Sequence, residues 1–317
     1  MSTTAPTSLD GVAEALASGG RPRAGGTDLT VLHRLGLARG PYVDLGGVAA
    51  LGGVGWRADG SARIGATTPI AEIAADERLR AAYPALTATA AALATPQVRA
   101  AATLGGNLLQ RNRCSYLRNP HFSCHQSGGT GCPARTGVHA NGVAVDQGPC
   151  VAPHPSSLAM ALVGYGATAE TRARGTLAVA DLYGDGSDPT RDHLLPEGEV
   201  LLAVDLPVPE PGERAAYRRA TARTAAEWPL VEAVARLVVT DGRVRAAGVA
   251  AGGVARTPLR LTEVEQALIG RPADAAVLAA AAALAAERCR PLPQTGYKVG
   301  LLRDTVRDVL ERAAEQG

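Results

Sequence analysis

The stretch AATLGGNLLQRNRCSYLRNPHFSC, residues 101–124, brings a glycine pair (Gly105, Gly106), an asparagine (Asn107) and two cysteines (Cys114, Cys124) into one short reach of chain. Adjacent glycines permit positive φ and let backbone N–H groups converge on an anion with no Cβ in the way. A second such segment, AGGTDL at residues 24–29, lies upstream, and Thr27, Asp28 and Asn107 are placed to hydrogen-bond phosphate or hydroxyl oxygens. Taken alone, each segment is equally an ordinary turn. No convincing G-x-G-x-x-G opens a helix after a strand, GYGATA at 164–169 being a degenerate match in the wrong context, so a Rossmann nicotinamide site is disfavoured.

The two thiols open a wider pattern. Cys114, Cys124, Cys132 and Cys150 are spaced C-x9-C-x7-C-x17-C, whereas Cys289 stands alone in an Ala-rich helical pattern. Zinc sites usually present ligands in close C-x2-4-C pairs, and the common ferredoxin spacings also differ, so spacing alone gives four thiols able to meet. In a compartment that keeps thiols reduced, such a cluster reads as a metal or redox site rather than a disulfide framework. His121, His125, His139 and His154 lie in the same region as further candidate ligands. Residues 112–153 show little periodicity and read as a long ordered loop with little apolar content of its own. Something other than a hydrophobic core must then hold it, and a metal centre would suffice.

A chain of 317 residues has room for two or three compact units. Its 32 basic and 30 acidic residues leave a formal charge of +2, no electrostatic footprint for nucleic acid or an anionic membrane surface. Lys298 is the single lysine, which nearly excludes a Walker-type phosphate loop and a Schiff-base enzyme. No G-x-S-x-G elbow, H-E-x-x-H helix or paired carboxylates give hydrolysis a home. The opening MSTTAPTSLDGVAEALASGG has neither the charged nor the apolar region of a signal peptide, so the expectation is a cytoplasmic chain; the alternative is periplasmic export with a signal-bearing partner.

Along the chain, periodicity predicts a helix from Gly11 to Ser18, a second helix after RPRAGGTDLT, a strand in PYVDLGGV, and in ARIGATTPIAEI a strand running into a helix capped by Thr67 or Thr68. An Ala-rich helix follows near 85–95, then a helix from Ser156 to Leu162 and the strand EVLLAVDLPVP. A composition boundary falls at PVPEPGER. Beyond it the pattern predicts a strand AAYRRATA, a helix PLVEAVARLVV, a hairpin turn at Asp241-Gly242, a strand VRAAGVAAGGV and two further helices. The last helix places Leu301, Leu302, Thr305, Val306, Val309 and Leu310 on one face, to pack on its own unit.

Together, AGGTDL, IGATTPIAEI, TLGGNLLQRNRCSYLR, CVAPHPSSLAMALVGYGA, AAYRRATAR and TGYKVGLLRDTVRDVL resemble, in order and over essentially the whole chain, the FAD-binding medium subunit of the molybdenum hydroxylases, the xanthine dehydrogenase and carbon monoxide dehydrogenase family. The cysteine-bearing insertion resembles the branch of bacterial periplasmic aldehyde oxidoreductases, whose FAD subunit carries an additional [4Fe-4S] cluster. The resemblance implies an α+β chain: a two-part FAD-binding domain of the PCMH/vanillyl-alcohol-oxidase type (1–53 and 54–211, with the insertion at 112–153) and a C-terminal domain of the CO dehydrogenase flavoprotein type (212–317). It implies that Arg23, Ala24, Gly25, Gly26, Thr27, Asp28 and Leu29 wrap the FAD pyrophosphate. Ala66, Leu93, Val98, Thr103, Gly106, Asn107, Leu109 and Ser156 would line the remainder, with Leu201 and Arg218 near the flavin. It implies Cys114, Cys124, Cys132 and Cys150 as cluster ligands, with Arg111, Arg113 and Arg118 offsetting the thiolate charge. Three positions depart from the family pattern: Arg218 where many relatives carry lysine, Ser157 where H-P-S-D is usual, and Trp228 where phenylalanine is usual.

The function implied is electron transfer in a heterotrimeric molybdenum-dependent aldehyde oxidoreductase. A large subunit would hold the molybdenum cofactor and a small subunit [2Fe-2S] centres, and this chain would pass electrons to an external small-molecule or protein acceptor. The rival readings are a zinc-stabilised scaffold, in which the glycine segments are mere turns, and a stand-alone flavin oxidase of the vanillyl-alcohol-oxidase type. The latter's usual histidine or cysteine tether to flavin has no evident match here.

Overall fold

The computed structural model describes residues 2–224 and 226–315, arranged around three sheets. The first is parallel, with strands β1 (Thr3–Thr4), β2 (Arg21–Arg23) and β3 (Tyr42–Asp44) in the order β1-β3-β2. Helix Leu9–Ala17, capped by the Ser8 hydroxyl, lays Val12 and Leu16 onto Val43, Leu45, Val48 and Leu51. The glycine segment leaves β2 and runs into helix Leu29–Arg34.

The second sheet comprises β4 (Val54–Trp56), β5 (Ala62–Gly65), β6 (Thr168–Thr171), β7 (Gly175–Ala178) and β8 (Leu201–Leu206), all pairs antiparallel, in the order β4-β5-β8-β6-β7. Helices Ile70–Ala75, Pro84–Ala92 and Ser157–Tyr165 contribute to its core. The expected threonine cap is absent: Pro69 occupies the N-cap position of helix Ile70–Ala75, and the buried Thr68 hydroxyl donates to Gly53 O at 3.1 Å. Inside the protein that hydroxyl needs a partner, and the nearby carbonyl supplies it.

The third sheet is antiparallel, with β9 (Glu213–Ala220), β10 (Val231–Thr240), β11 (Arg243–Gly252) and β12 (Leu259–Arg260) in the order β12-β11-β10-β9. Asp241 and Gly242 join β10 to β11 with φ of 50° and 71°, positive at both central positions as a two-residue hairpin turn of matching twist requires. PLVEAVARLVV, expected as a helix, is largely β10. Ala233, Ala235 and Leu237 enter one core while Val234 enters another, so the strand is apolar on both faces and its two-residue period is hidden.

Helix Ser157–Tyr165 is buried at all nine positions and shares a core with the second sheet and with Val234 and Ala250 of the third. Its contact with the third sheet depends on missing side chains. A Cβ on Gly164 would sit 2.5 Å from a Val234 methyl, and one on Gly248 would sit 2.0 Å from Gly164 O. The far face of the third sheet is covered by helix Tyr297–Glu315, through Leu302, Thr305, Val306, Val309 and Leu310, with Leu301 partly buried.

Residues 112–153 contain one 3-10 turn, Pro133–Arg135, and otherwise lack regular structure. Contrary to expectation the segment has a small core of its own. Ala134, Val143 and Val151 pack together, flanked by Tyr116, Cys132 and Leu292. The C-terminal unit clasps it: Tyr297 Oη donates to Ala140 O at 2.9 Å, Arg290 N to Ala144 O at 2.8 Å, and Gln294 N to His139 Nε2 at 3.3 Å. Lys298 is 1% exposed; its Nζ donates to Gly253 O at 2.7 Å and Asn141 O at 3.4 Å, and burial pushes it down to about 8.

Candidate functional site

Between the first two sheets lies a cavity of about 740 Å³, within the range of about 300–1,000 Å³ usual for sites that enclose an organic ligand. Residues 23–29 form one wall, with Ala66, Leu93, Val98, Thr103, Gly106, Asn107, Leu109 and Leu201 around the rest. The glycines serve distinct ends. Gly26 has φ of 68°, in the left-handed region, whereas a Cβ on Gly25 would lie 1.7 Å from Ala101 O, so Gly25 lets the first segment press against the chain leading to the second. That second segment is not an open loop: Leu104–Leu108 is one helical turn, capped by Thr103 Oγ1 accepting from Gly106 N at 3.2 Å.

Two expected residues are elsewhere. Ser156 lies behind the wall, donating to Asn107 Oδ1 at 2.6 Å and accepting from Ala159 N at 3.0 Å; it caps a helix and orients a residue that lines the cavity. Arg218 is exposed on β9 and pairs with Asp308 at 3.5 Å. Its neighbour Arg219 lines the cavity, donating to Ala92 O and Glu227 O. Consecutive strand residues point to opposite faces, so the arginine pair divides between the two. Ser157 is fully buried at the start of its helix and likewise does not border the cavity. Trp228 does, with the Arg113 guanidinium over its ring at 4.6 Å.

The cations next to the cysteines are already committed. Asp28 accepts from Arg113 Nη1 at 2.6 Å and from Arg118 Nη1 at 2.9 Å, so the first glycine segment is tied to the residues on either side of Cys114. Burial brings Arg113 down to about 10 against the pull of Asp28. Further cations reach the thiols, Arg256 at Cys150 and Arg135 at Cys132 and Cys150.

Cys114, Cys124, Cys132 and Cys150 all face one small cavity of about 20 Å³, together with Asn112, His125 and Gln126. All five cysteines of the chain are unpaired, and Cys289 packs in the core of the third sheet. Burial pushes the Cys114 thiol up, and the Cys150 thiol up to about 11. Among the described residues, no three ligating side chains are closed to metal-bonding geometry. The donor set, four thiols on a common space, suits an iron–sulfur cluster. Of the candidate histidines only His125 borders it. His121 is exposed, and His139 joins Ala134 O through Nδ1 at 2.9 Å. His154 is buried edge-on to Tyr183, 4.3 Å between ring centroids, and burial pushes it down to about 3.

The two cavities share a polar wall that sequence patterns do not reveal. Asp192, its side chain 2% exposed, borders the large cavity. Its Oδ2 accepts from Arg111 Nε and Asn112 N, each at 3.1 Å. Its Oδ1 accepts from Asn112 Nδ2 at 3.0 Å, Gln126 Nε2 at 2.9 Å and Arg256 Nη1 at 3.2 Å. Burial alone would raise this carboxyl, but hydrogen bonds from Asn112 and Gln126 and the charges of Arg256 and Arg111 outweigh it and bring it down to about 2.

Residues 1–209 match the family described as the FAD binding domain in molybdopterin dehydrogenase, and residues 215–316 match the CO dehydrogenase flavoprotein C-terminal domain. The chain is 34% identical over 304 residues to the aldehyde oxidoreductase FAD-binding subunit PaoB of Escherichia coli K12, covering 92% of this chain and 91% of that one. It is 27% identical over 299 residues to the carbon monoxide dehydrogenase medium chain of Afipia carboxidovorans, covering 92% and 88%. The fold is that of the Cu,Mo-CO dehydrogenase structure, with a TM-score of 0.78 at 23% identity over 100% and 98% of the two chains. Quinoline 2-oxidoreductase from Pseudomonas putida 86 gives 0.76 at 24% over 99% and 97%.

Proposed function

Because this chain belongs to the FAD-binding medium subunits of the molybdenum hydroxylases, oxidoreductase components of α+β fold, we propose that it serves as the electron outlet of a heterotrimeric aldehyde oxidoreductase and carries a [4Fe-4S] cluster beside its FAD. The observation that carries this reading is the convergence of four cysteines, drawn from 37 residues of irregular chain (114–150), on one cavity that shares a wall with the flavin cavity. When bound, FAD exchanges electrons singly with iron–sulfur centres and in pairs with an organic acceptor, and the cluster adds a one-electron station beside it.

The protein's own part is placement. Residues 23–29 and the turn Leu104–Leu108 frame the ligand with backbone, and Gly26 keeps a side chain out of that frame. Arg219 sets a positive charge in the cavity, where it would favour a reduced, anionic flavin. Cys114, Cys124, Cys132 and Cys150 would hold the cluster, and Arg135 and Arg256 would offset the thiolate charge. The size of the large cavity and the likeness to the aldehyde oxidoreductase subunit support the same reading.

Extraction of flavin, together with iron and sulfide analysis of anaerobically purified complex, tests it. One FAD with about four iron and four sulfide per medium subunit beyond the content of the small subunit is expected. Stoichiometric zinc, or disulfides with no metal at these cysteines, refutes the cluster. Aldehyde-dependent dye reduction tests the substrate class.

A further inference from the structure

We propose that Asp192 is a positioning residue common to both cofactor sites, setting the potentials of flavin and cluster together through one buried negative charge; this rests on the two-cofactor reading above. Three observations carry it. Asp192 borders the flavin cavity, whereas two of its donors, Asn112 and Gln126, border the cysteine cavity, so one carboxylate stands in the wall between them. Its oxygens receive five hydrogen bonds from four residues, which fixes the wall's geometry from the loop after the second glycine segment and from Arg256 beyond β11. Finally, the buried Arg256 donates to Asp192 Oδ1 at 3.2 Å, so charges of opposite sign stand together in that wall.

A charge 2% exposed is poorly screened, so its effect on a neighbouring electron acceptor persists where a surface charge would be damped by water and salt. Negative charge disfavours reduction of whatever lies on either side. Arg256, its side chain 3% exposed, carries the opposite sign at the same wall. The pair therefore supplies a sign test that a merely structural role fails, because disorder has no reason to move a potential up in one variant and down in the other.

Asp192→Asn and Arg256→Gln are prepared in the complete complex. Flavin and iron contents are measured first, and then both midpoint potentials are obtained by spectroelectrochemical titration. Wild type lacking cluster iron overturns the two-cofactor reading itself. With wild type loaded, Asp192→Asn is expected to raise both midpoints and Arg256→Gln to lower that of the cluster. Shifts of the same sign in the two variants, a shift at only one cofactor in Asp192→Asn, or no shift overturn the proposal. If Asp192→Asn is recovered without cofactors, Arg256→Gln decides alone: a lowered cluster midpoint supports the assignment, and an unchanged or raised one overturns it.

Discussion

The two cavities lie side by side and are built in opposite ways. The large one is framed by the two glycine segments, by strand and helix ends and by close backbone approach, with Gly25 against Ala101 O and Gly105 against Ala66. The small one is framed by irregular chain held by a few apolar residues, by hydrogen bonds from the C-terminal unit and by the Asp192 wall. A site made of packed backbone tolerates almost no added volume. One made of side-chain contacts yields piecemeal, one contact at a time.

The largest effect expected from this contrast is at Gly25. Gly25→Val drives a side chain into the Ala101 carbonyl and should cost about 5 kcal/mol or more, at the extreme of single substitutions. Urea unfolding of the variant would show it, and near-normal stability would mean that the close approach is not a constraint. Next comes His154, buried edge-on against Tyr183. Its folded pKa of about 3 lies below the ordinary 6.5, so between these values the unfolded chain binds a proton that the folded ring refuses. Stability should therefore fall as pH drops from 6.5 towards 3, by on the order of 4 kcal/mol, and the slope should flatten in His154→Gln.

Smaller effects separate the two cavities. Leu292→Ala removes a flank of the small core around Ala134, Val143 and Val151 and should cost about 2 kcal/mol. Limited proteolysis should then cut within 112–153 first, leaving the second sheet protected; uniform cleavage would deny the loop its separate core. Smallest is Arg118→Ala, which removes one of the two arginines on Asp28 at a cost of about 1.5 kcal/mol. Its readout is flavin retention during dilution, expected to weaken because the first glycine segment loses a tie to the cysteine segment.

Legibility in the sequence followed the range of the interactions. Glycine pairs, the Asp241-Gly242 turn and the last amphipathic helix are local signals, and each could be read from its own neighbourhood. Val231–Thr240 reads as a helix because apolar cover on both faces erases the alternation that marks a strand. Which of Arg218 and Arg219 faces the cavity depends on the strand's phase, which only pairing with β10 fixes. Asp192 carries no signal at all: it sits in an irregular stretch, and its role comes from donors at 111, 112, 126 and 256 that only the fold assembles. The small core of the cysteine segment is hidden for the same reason, since Leu292, remote in sequence, packs against it.

The proline-rich stretch at 207–212 has the composition of a linker, yet helix Ser157–Tyr165 lies under both sheets that it separates, with all nine residues buried. Severing the chain there and parting the pieces would uncover one face of this helix on the N-terminal side, and on the C-terminal side the sheet face notched at Gly248 to receive it. The boundary that composition marks in the chain is therefore not a boundary in the core, which runs unbroken from the second sheet through this helix to Val234 and Ala250.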